Sequence, residues 1–236
     1  MIILAIATVA APSSIALFED ETLLALQLGP WPGEHLMQQI DDLLRAQKLS
    51  YKKISVFAAA HGPGAFAGLR TGLTTAKTLA QTTAKKLMTV DALEAIAIQH
   101  EPSSSALLVV QKACRNEYNV GLFGTNPLHR LIPNTVATDD RIVELLLETE
   151  GDVTLSGDGA GIIYPMLLSK NKKTRVCLTA PASAIGTARG VGLLAYRLAR
   201  HRQFSDPLKV KPVYSHAPNI KLSKNIDYEK LRAEAR

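Results

Sequence analysis

The sequence predicts an α/β protein in which one arrangement of strands and helices occurs twice. Short aliphatic strands alternate with amphipathic helices, the same order of elements recurs in both halves, and aromatic residues make up only 5% of the chain. A core rich in Ala and Leu is typical of helices packed on aliphatic strands. At 236 residues, the chain is long enough to form two lobes with buried cores.

The first hundred residues contain three strands followed by alternating helices and strands. Period-two and continuous apolar runs predict strands at Ile2–Val9, Ser13–Phe18, Leu23–Leu28, Ile54–Ala60 and Leu87–Val90. Apolar residues at helical spacing predict a helix over Glu34–Gln47. A long Ala/Thr-rich helix is predicted to end near Lys85. Asp91 and Glu94 have the spacing of a capping box and begin another helix.

The second half repeats this order. Its predicted strands are Ala106–Gln111, Tyr118–Phe123, Leu128–Pro133, Val153–Ser156 and Arg175–Leu178, and its predicted helices are Asp139–Thr149, Gly159–Leu168 and Ala182–Arg200. A duplicated unit of three strands, helix, strand and helix indicates the two-lobed actin-like ATPase fold, a duplicated ribonuclease H-like arrangement. We predict lobes at 1–101 and 102–236, with a boundary at Glu101–Ser105, and allow the last helix to cross back.

Cysteine content and hydropathy favour a cytoplasmic protein. Cys114 and Cys177 lie far apart, without a CxxC motif or a neighbouring histidine, so neither a disulfide framework nor a metal site is expected. No basic residue precedes the apolar start, which is therefore predicted as a buried strand rather than a signal peptide. No apolar run approaches the roughly 18–20 residues of a membrane span.

Charge is distributed unevenly along the chain. The net charge is +6 overall, but −5 over residues 1–169 and +11 over residues 170–236. A basic C-terminal third suits contact with a nucleic acid or an acidic partner. A solvated helix and tail would explain the same charges, so this feature leaves both alternatives open.

The most informative segment is HGPGAFAGLRTGLTTAKTLA, residues 61–80, which follows a strand and enters a helix. It lacks the GxxxxGK[ST] pattern of a P-loop. Pro63 has no N–H group, which removes one of the donors that a phosphate cradle would use. Gly62, Pro63 and Gly64 are therefore predicted to form a tight turn that requires glycine for its backbone conformation.

The helix after this turn carries a face of small residues. Gly68, Gly72 and Ala76 lie four residues apart, and Leu79 and Ala80 continue the face. Small side chains allow another element to approach closely. That element is either the sheet of the same chain or a helix of a partner.

Residues 61–80 resemble the signature of the bacterial TsaB family, formerly YeaZ, commonly written GPGSFTGLRIGLATAKGLA. The matching positions are Gly62-Pro63-Gly64, Phe66, Gly68-Leu69-Arg70, Gly72-Leu73, Thr75-Ala76-Lys77 and Leu79-Ala80. Weaker similarity covers nearly the whole chain, at Ile3–Ile6, Ser14–Leu17, Val90–Ala95, Gly157–Ala160 and Pro212–Tyr214.

This resemblance implies the two-lobed fold and a function in tRNA modification. TsaB-like proteins are scaffolds that pair with a catalytic relative, TsaD, which with the ATPase TsaE transfers threonylcarbamoyl to the adenosine beside the anticodon of tRNA. The expected partners are thus a TsaD-like subunit, a TsaE-like ATPase, tRNA through the complex, and a second copy of this chain as a homodimer. No cofactor of its own is expected, and ATP would bind only at the level of the complex.

We predict that the partner interface consists of the helix Glu34–Gln47 and the helix over 68–80. The residues assigned to it are Leu36, Ile40, Leu43, Gly68, Leu69, Gly72, Leu73, Ala76, Leu79 and Ala80.

The sequence departs from the family pattern at three polar sites. Ala7 stands where the family's first strand carries an aspartate, the residue type that orients the metal–nucleotide complex in actin-like ATPases. The family's D-A-R motif becomes Lys112-Ala113-Cys114, and its terminal P-x-Y-L-R ends here in Ser215-His216. These changes argue against ATP turnover by this chain alone, and they leave open whether it supports the full reaction.

Other functional classes have less support. The six histidines include no HxxxH pair like that of the catalytic relative, which argues against an independent metal enzyme. Neither HExxH nor GxSxG is present, although a serine paired with a distant histidine leaves a glycoprotease-like peptidase open. A kinase of the same fold would need the acidic residue missing at Ala7. A homodimeric or nucleic-acid-binding module remains the non-enzymatic alternative.

Overall fold

Two mixed β-sheets, each flanked by helices, make up the two lobes in a computed structural model of the chain. The structure describes residues 1–31, 33–100, 106–114, 116–170, 176–179 and 186–216. The predicted boundary at 101–105 and the basic tail after residue 216 lie outside these ranges. Among the described residues, no helix is long and apolar enough to cross a membrane.

The first sheet has the strand order β3-β2-β1-β4-β5. Its strands are β1 (Ile2–Ala7), β2 (Ser13–Glu19), β3 (Thr22–Gly29), β4 (Val56–Gly62) and β5 (Lys86–Asp91), and its helices are α1 (Leu36–Ala46), α2 (Phe66–Thr82) and α3 (Ala92–Ala97). The first three strands form an antiparallel meander, and β4 and β5 continue parallel to β1. The predicted cap of α3 is confirmed, because the Asp91 carboxylate accepts the Glu94 N–H at 2.9 Å.

The second sheet has the order β11-β10-β6-β7-β8, with β9 also paired to β7. Its strands are β6 (Ala106–Lys112), β7 (Glu117–Thr125), β8 (Leu128–Arg130), β9 (Thr135–Thr138), β10 (Val153–Ser156) and β11 (Val176–Leu178). The helices α4 (Asp139–Glu148), α5 (Ala160–Lys170) and α6 (Thr187–Arg200) follow in the chain. β8 and β9 pair with opposite ends of β7, so together they take the place of β3. The duplicated fold is confirmed.

The central strand β1 is buried on both faces. Ile3, Ala5 and Ala7 pack in a cluster with residues of α3 and α6, whereas Leu4 and Ile6 pack with α1 and α2. Successive side chains of a strand point to opposite faces, so a strand covered by helices on both sides needs a continuous apolar run. This explains why the opening segment is almost entirely aliphatic.

The last helix packs on the first lobe, as the prediction allowed when it let this helix cross back, so the range 102–236 does not belong entirely to the second lobe. α6 packs on β1, β2, β4 and β5 and beside α3. Its apolar face, with Ala188, Val191 and Ala195 fully buried, covers the side of the first sheet opposite α1 and α2. The chain then stays on this lobe, where the Ser205 N–H donates to the Leu87 carbonyl at 2.9 Å.

Candidate functional site

The glycine turn between β4 and α2 is shaped by two close backbone contacts. Gly62 and Gly64 have φ values of 130° and 155°, which L-residues with side chains rarely adopt. A Cβ at Gly62 would lie 2.1 Å from the Val213 carbonyl oxygen, and one at Gly64 would lie 2.5 Å from that of Val9. The Ala65 N–H already donates to the Val9 carbonyl at 2.8 Å. These contacts favour the predicted structural turn over a phosphate cradle.

The small-residue face of α2 packs on the sheet of its own chain. The Thr8 hydroxyl, just beyond β1, donates to the Gly68 carbonyl at 2.6 Å. A Cβ at Gly68 would lie 1.8 Å from the Thr8 carbonyl oxygen, and one at Gly72 would lie 2.3 Å from the Thr8 hydroxyl oxygen. Of the two alternatives for this face, the structure selects the internal one.

The residues predicted for the partner interface therefore require correction. Gly68 and Gly72 abut Thr8, as described above. The other eight, Leu36, Ile40, Leu43, Leu69, Leu73, Ala76, Leu79 and Ala80, are buried in the core of the first lobe. Helical periodicity identifies the buried side of a helix, and in α1 and α2 that side packs in the core of the same lobe. Only the opposite sides of α1 and α2 can contact another chain.

A cleft of about 1000 Å³ lies between the lobes. The segment after β1 and the start of α2 form one wall, and the ends of β6 and β7 with the turn at Asp158 form the other. Ala7, only 2% exposed, ends β1 without offering a carboxylate to this cleft. Lys112, Cys114 and His216, three further positions that depart from the family pattern, all line it.

Burial raises the pKa of Asp158, a carboxylate that lines the cleft. The Lys112 backbone N–H opposes this effect by donating to the Asp158 carboxylate at 2.8 Å. The hydrogen bond holds the turn after β10 against the end of β6. Asp158 thus has a structural role, because it links the turn after β10 to the end of β6.

The segment 205–216 crosses from the first lobe to the second, a feature that sequence reasoning missed. The Val213 N–H donates to the His61 carbonyl at 2.7 Å, and the Tyr214 ring stacks on Phe66 with centroids 4.9 Å apart. Beyond it, the Ser215 hydroxyl donates to the Asn119 side chain, and His216 Nε2 lies 3.1 Å from a Glu117 carboxylate oxygen. In the sequence, only the pattern Pro212-Val213-Tyr214 indicated that this segment has a specific contact.

A second set of contacts joins the lobes on another side. His100 Nε2 lies 2.6 Å from the Ser156 hydroxyl oxygen, and an Arg130 guanidinium nitrogen lies 3.2 Å from the Asp91 carboxylate. Ser156 is 0% exposed, so its hydroxyl cannot reach a peptide substrate. The Ser–His pair is therefore a structural link, and it does not favour a peptidase.

The duplicated sheets and the cleft between them define the chain as a protein of the two-lobed actin-like class. Within that class, residues 33–187 match the family model described as "TsaD: tRNA N6-adenosine threonylcarbamoyltransferase". This range includes 155 of the 236 residues, and the chain belongs to that family.

Individual proteins agree with this assignment. The tRNA threonylcarbamoyladenosine biosynthesis protein TsaB of Bacillus subtilis (strain 168) is 26% identical over 172 residues, 71% of this chain and 75% of that protein. YeaZ from Pseudomonas aeruginosa superposes with a TM-score of 0.71 at 19% identity, covering 90% of this chain and 100% of that one. The resemblance to the TsaB family is confirmed.

A more distant structure shares only the fold. The activator of the 2-hydroxyisocaproyl-CoA dehydratase from Clostridium difficile, with bound ADPNP, has a TM-score of 0.54 at 12% identity. The match covers 90% of this chain and 99% of that one.

We predict that Gly68→Ala destabilises the first lobe, because the added methyl group would overlap the Thr8 carbonyl. Forcing a carbon into a packed contact costs about 1–3 kcal/mol. Gly161→Ala is the matched control, since nothing lies within 4 Å of a Cβ at that helical position. Urea denaturation measures both free energies of unfolding. Equal values for the two variants would contradict the proposed contact.

We predict that acid weakens the link between His100 and Ser156. Burial lowers the pKa of His100 below its ordinary value of 6.5, and the charge of Arg189 lowers it further. The unfolded chain then takes up the proton more readily, so this stabilising contribution is present above pH 6.5 and is lost as the pH falls through the folded pKa.

As the pH is lowered below 6.5, the melting temperature of His100→Gln should fall less steeply than that of the wild type. His201→Gln, at an exposed position after α6, is the control and should follow the wild type. A His100→Gln variant with the wild-type pH dependence would show that His100 does not contribute.

Proposed function

We propose that the chain is a non-catalytic subunit of the complex that forms threonylcarbamoyladenosine in tRNA, where it binds and supports a TsaD-like catalytic subunit. The observation that carries the proposal is an intact signature helix beside a first strand that ends in Ala7 instead of a carboxylate. The family match and the similarity to TsaB supply the process. A helix preserved beside a cleft without this acidic group suits a scaffold better than an ATPase.

The outward face of α2 is the part of the surface best suited to the partner. Of its exposed residues, Ala67, Thr74, Thr78, Gln81 and Thr82 are uncharged and Arg70 is the one charged residue, whereas a helix side that faces only water is usually rich in charged groups. The two cations of α2 turn towards the C-terminal segment. Arg70 Nε lies 3.0 Å from the Tyr214 hydroxyl, and Lys77 Nζ lies 3.0 Å from the Val210 carbonyl.

Helix α1 adds an apolar residue to this surface. Met37 is 42% exposed, although its neighbour Leu36 is buried. Met37 and the threonines of α2 can pack against another helix without leaving a charge desolvated, and the exposed Asp41, Asp42 and Arg45 of α1 are the charged residues on its outward side. The proposed contact thus uses the outward sides of the two helices that the sequence selected.

We predict that Thr74→Glu combined with Thr78→Glu abolishes binding to a TsaD-like subunit without unfolding the chain. Both side chains are exposed, so the free chain tolerates the charges, whereas a closed interface would desolvate them. Thr135→Glu, at an exposed position of the second lobe, is the matched control. Calorimetry with the purified partner measures the affinity, and circular dichroism verifies folding. Unchanged affinity in the double variant would exclude this face.

The remaining partners enter through the complex in this proposal. A TsaE-like ATPase and tRNA would meet the TsaD-like subunit, and ATP would be used there. Because such a complex would work on tRNA, the proposal includes a cytoplasmic location for the chain. A homodimer would occupy the same face of α1 and α2, so size-exclusion chromatography of the double variant also tests it. A salt-sensitive shift of tRNA by the isolated chain would instead favour a nucleic-acid-binding module.

We predict negligible ATP hydrolysis by the purified chain, because β1 ends without an acidic residue to orient a metal–nucleotide complex. Phosphate release is measured with Mg²⁺ before and after a second purification step. The same assay with the TsaD-like and TsaE-like proteins added is the positive control. Metal-dependent hydrolysis that persists through repurification of the chain alone would overturn this expectation.

A further inference from the structure

We propose that Cys114, Glu117 and His216 form a binding site for a zinc-class divalent ion that ties the C-terminal segment to the second lobe. One ligand atom from each residue lies within 4.8 Å of those of the other two, and no ion is present. His216 Nε2 and a Glu117 carboxylate oxygen are already 3.1 Å apart. The site lies at the mouth of the cleft between the lobes.

The turn between β6 and β7 positions two of the three ligands. The Glu117 N–H donates to the Cys114 carbonyl at 3.2 Å, and the Ala113 N–H donates to the Glu117 carbonyl at 2.9 Å. Asn116 takes a left-handed conformation with φ of 62°, which its short polar side chain tolerates. These hydrogen bonds fix the thiol and the carboxylate at the two ends of one tight turn.

The third ligand arrives on the segment that crosses from the first lobe. The Tyr214 ring stacks on Phe66, and its hydroxyl accepts a hydrogen bond from Arg70. The Ser215 hydroxyl donates to Asn119 of β7. These contacts bring the next residue, His216, onto Glu117. Cys114 and His216 lie far apart in the sequence, which is why motif spacing predicted no metal site.

The chemistry of the three ligands selects the ion. A thiolate, an imidazole and a carboxylate suit Zn²⁺ and similar transition metals, whereas Mg²⁺ and Ca²⁺ prefer oxygen ligands. Ligand atoms around a tetrahedral Zn²⁺ are about 3.3–3.8 Å apart, as its bond lengths of about 2.0–2.3 Å require. A small closing movement of the exposed Cys114 and His216 side chains would reach this geometry. The fourth position would remain open to water or to a ligand in the cleft.

Calorimetric titration of the full chain with Zn²⁺ tests the site directly. We expect one ion per chain, and a loss of affinity of more than about tenfold in Cys114→Ser and in His216→Ala. The matched controls are Cys177→Ser and His201→Ala, which alter an exposed thiol and an exposed imidazole elsewhere. Zn²⁺ should also raise the melting temperature of the wild type and of both controls, because an ion that binds only the folded chain stabilises it.

Substitution with Co²⁺ identifies the ligands independently of affinity. The wild type should show a thiolate-to-cobalt charge-transfer band, and Cys114→Ser should lack it while keeping the far-ultraviolet circular dichroism of the wild type. Wild-type affinity in Cys114→Ser would overturn the proposal. So would a thiolate band that disappears in Cys177→Ser instead.

Discussion

The contact between α2 and the end of β1 determines the arrangement of the first lobe. Because Gly68 and Gly72 have no side chains, the helix approaches Thr8 closely enough for a hydrogen bond from its hydroxyl to the Gly68 carbonyl. The same approach places the glycine turn against Val9 and Val213. It thereby fixes one wall of the cleft, and it orients the side of α2 that carries Thr74 and Thr78 away from the core. The inner face of α2 thus determines the position of one cleft wall and the direction in which the outer face of this helix points.

The C-terminal segment depends on this arrangement and completes it. Tyr214 stacks on Phe66, the first residue of α2, and is held there by Arg70 one turn later. Only with α2 in this position does the segment continue towards β7, where Asn119 meets Ser215. Among the described residues, polar contacts thus join the lobes here and through His100 and Ser156, and α3 also packs on β6 and β7 in a buried apolar cluster. Both of these polar connections join residues that are far apart in the sequence.

Local patterns predicted the elements well because their causes are local. The aliphatic run of β1, the helical spacing of Leu36 and Ile40, and the Asp91 cap all depend on nearby residues. The four-residue strand β9 was not predicted because so short a run gives little periodicity. The predicted strand Leu128–Pro133 is observed only over Leu128–Arg130, and Pro133 has no N–H with which to continue a ladder.

Tertiary features were predicted less well. An apolar stripe indicates that one face of a helix is buried, but it does not indicate which element packs against that face. The apolar stripe of α6 packs on the first sheet, although α6 follows the second sheet in the chain. The apolar stripe of α2 packs in the core of the first lobe, to which α2 itself belongs. The TsaB signature points to α2, but it does not state which side of this helix faces outward. The partner surface itself remains a prediction.

Two of the departures from the family pattern lie close together in the structure. The sequences at 112–114 and 215–216 are far apart in the chain, yet both line one cleft, and His216 contacts the turn that carries Cys114. Where the family pattern has an Asp and two Arg residues, this chain has a lysine, a thiol and an imidazole. The two Arg residues, which could hold an anion by charge, are thus replaced by a thiol and an imidazole, which could bind a transition-metal ion, whereas the change from Asp to Lys112 reverses a charge beside them. Because these positions meet at one place, both departures bear on the zinc-class site proposed above.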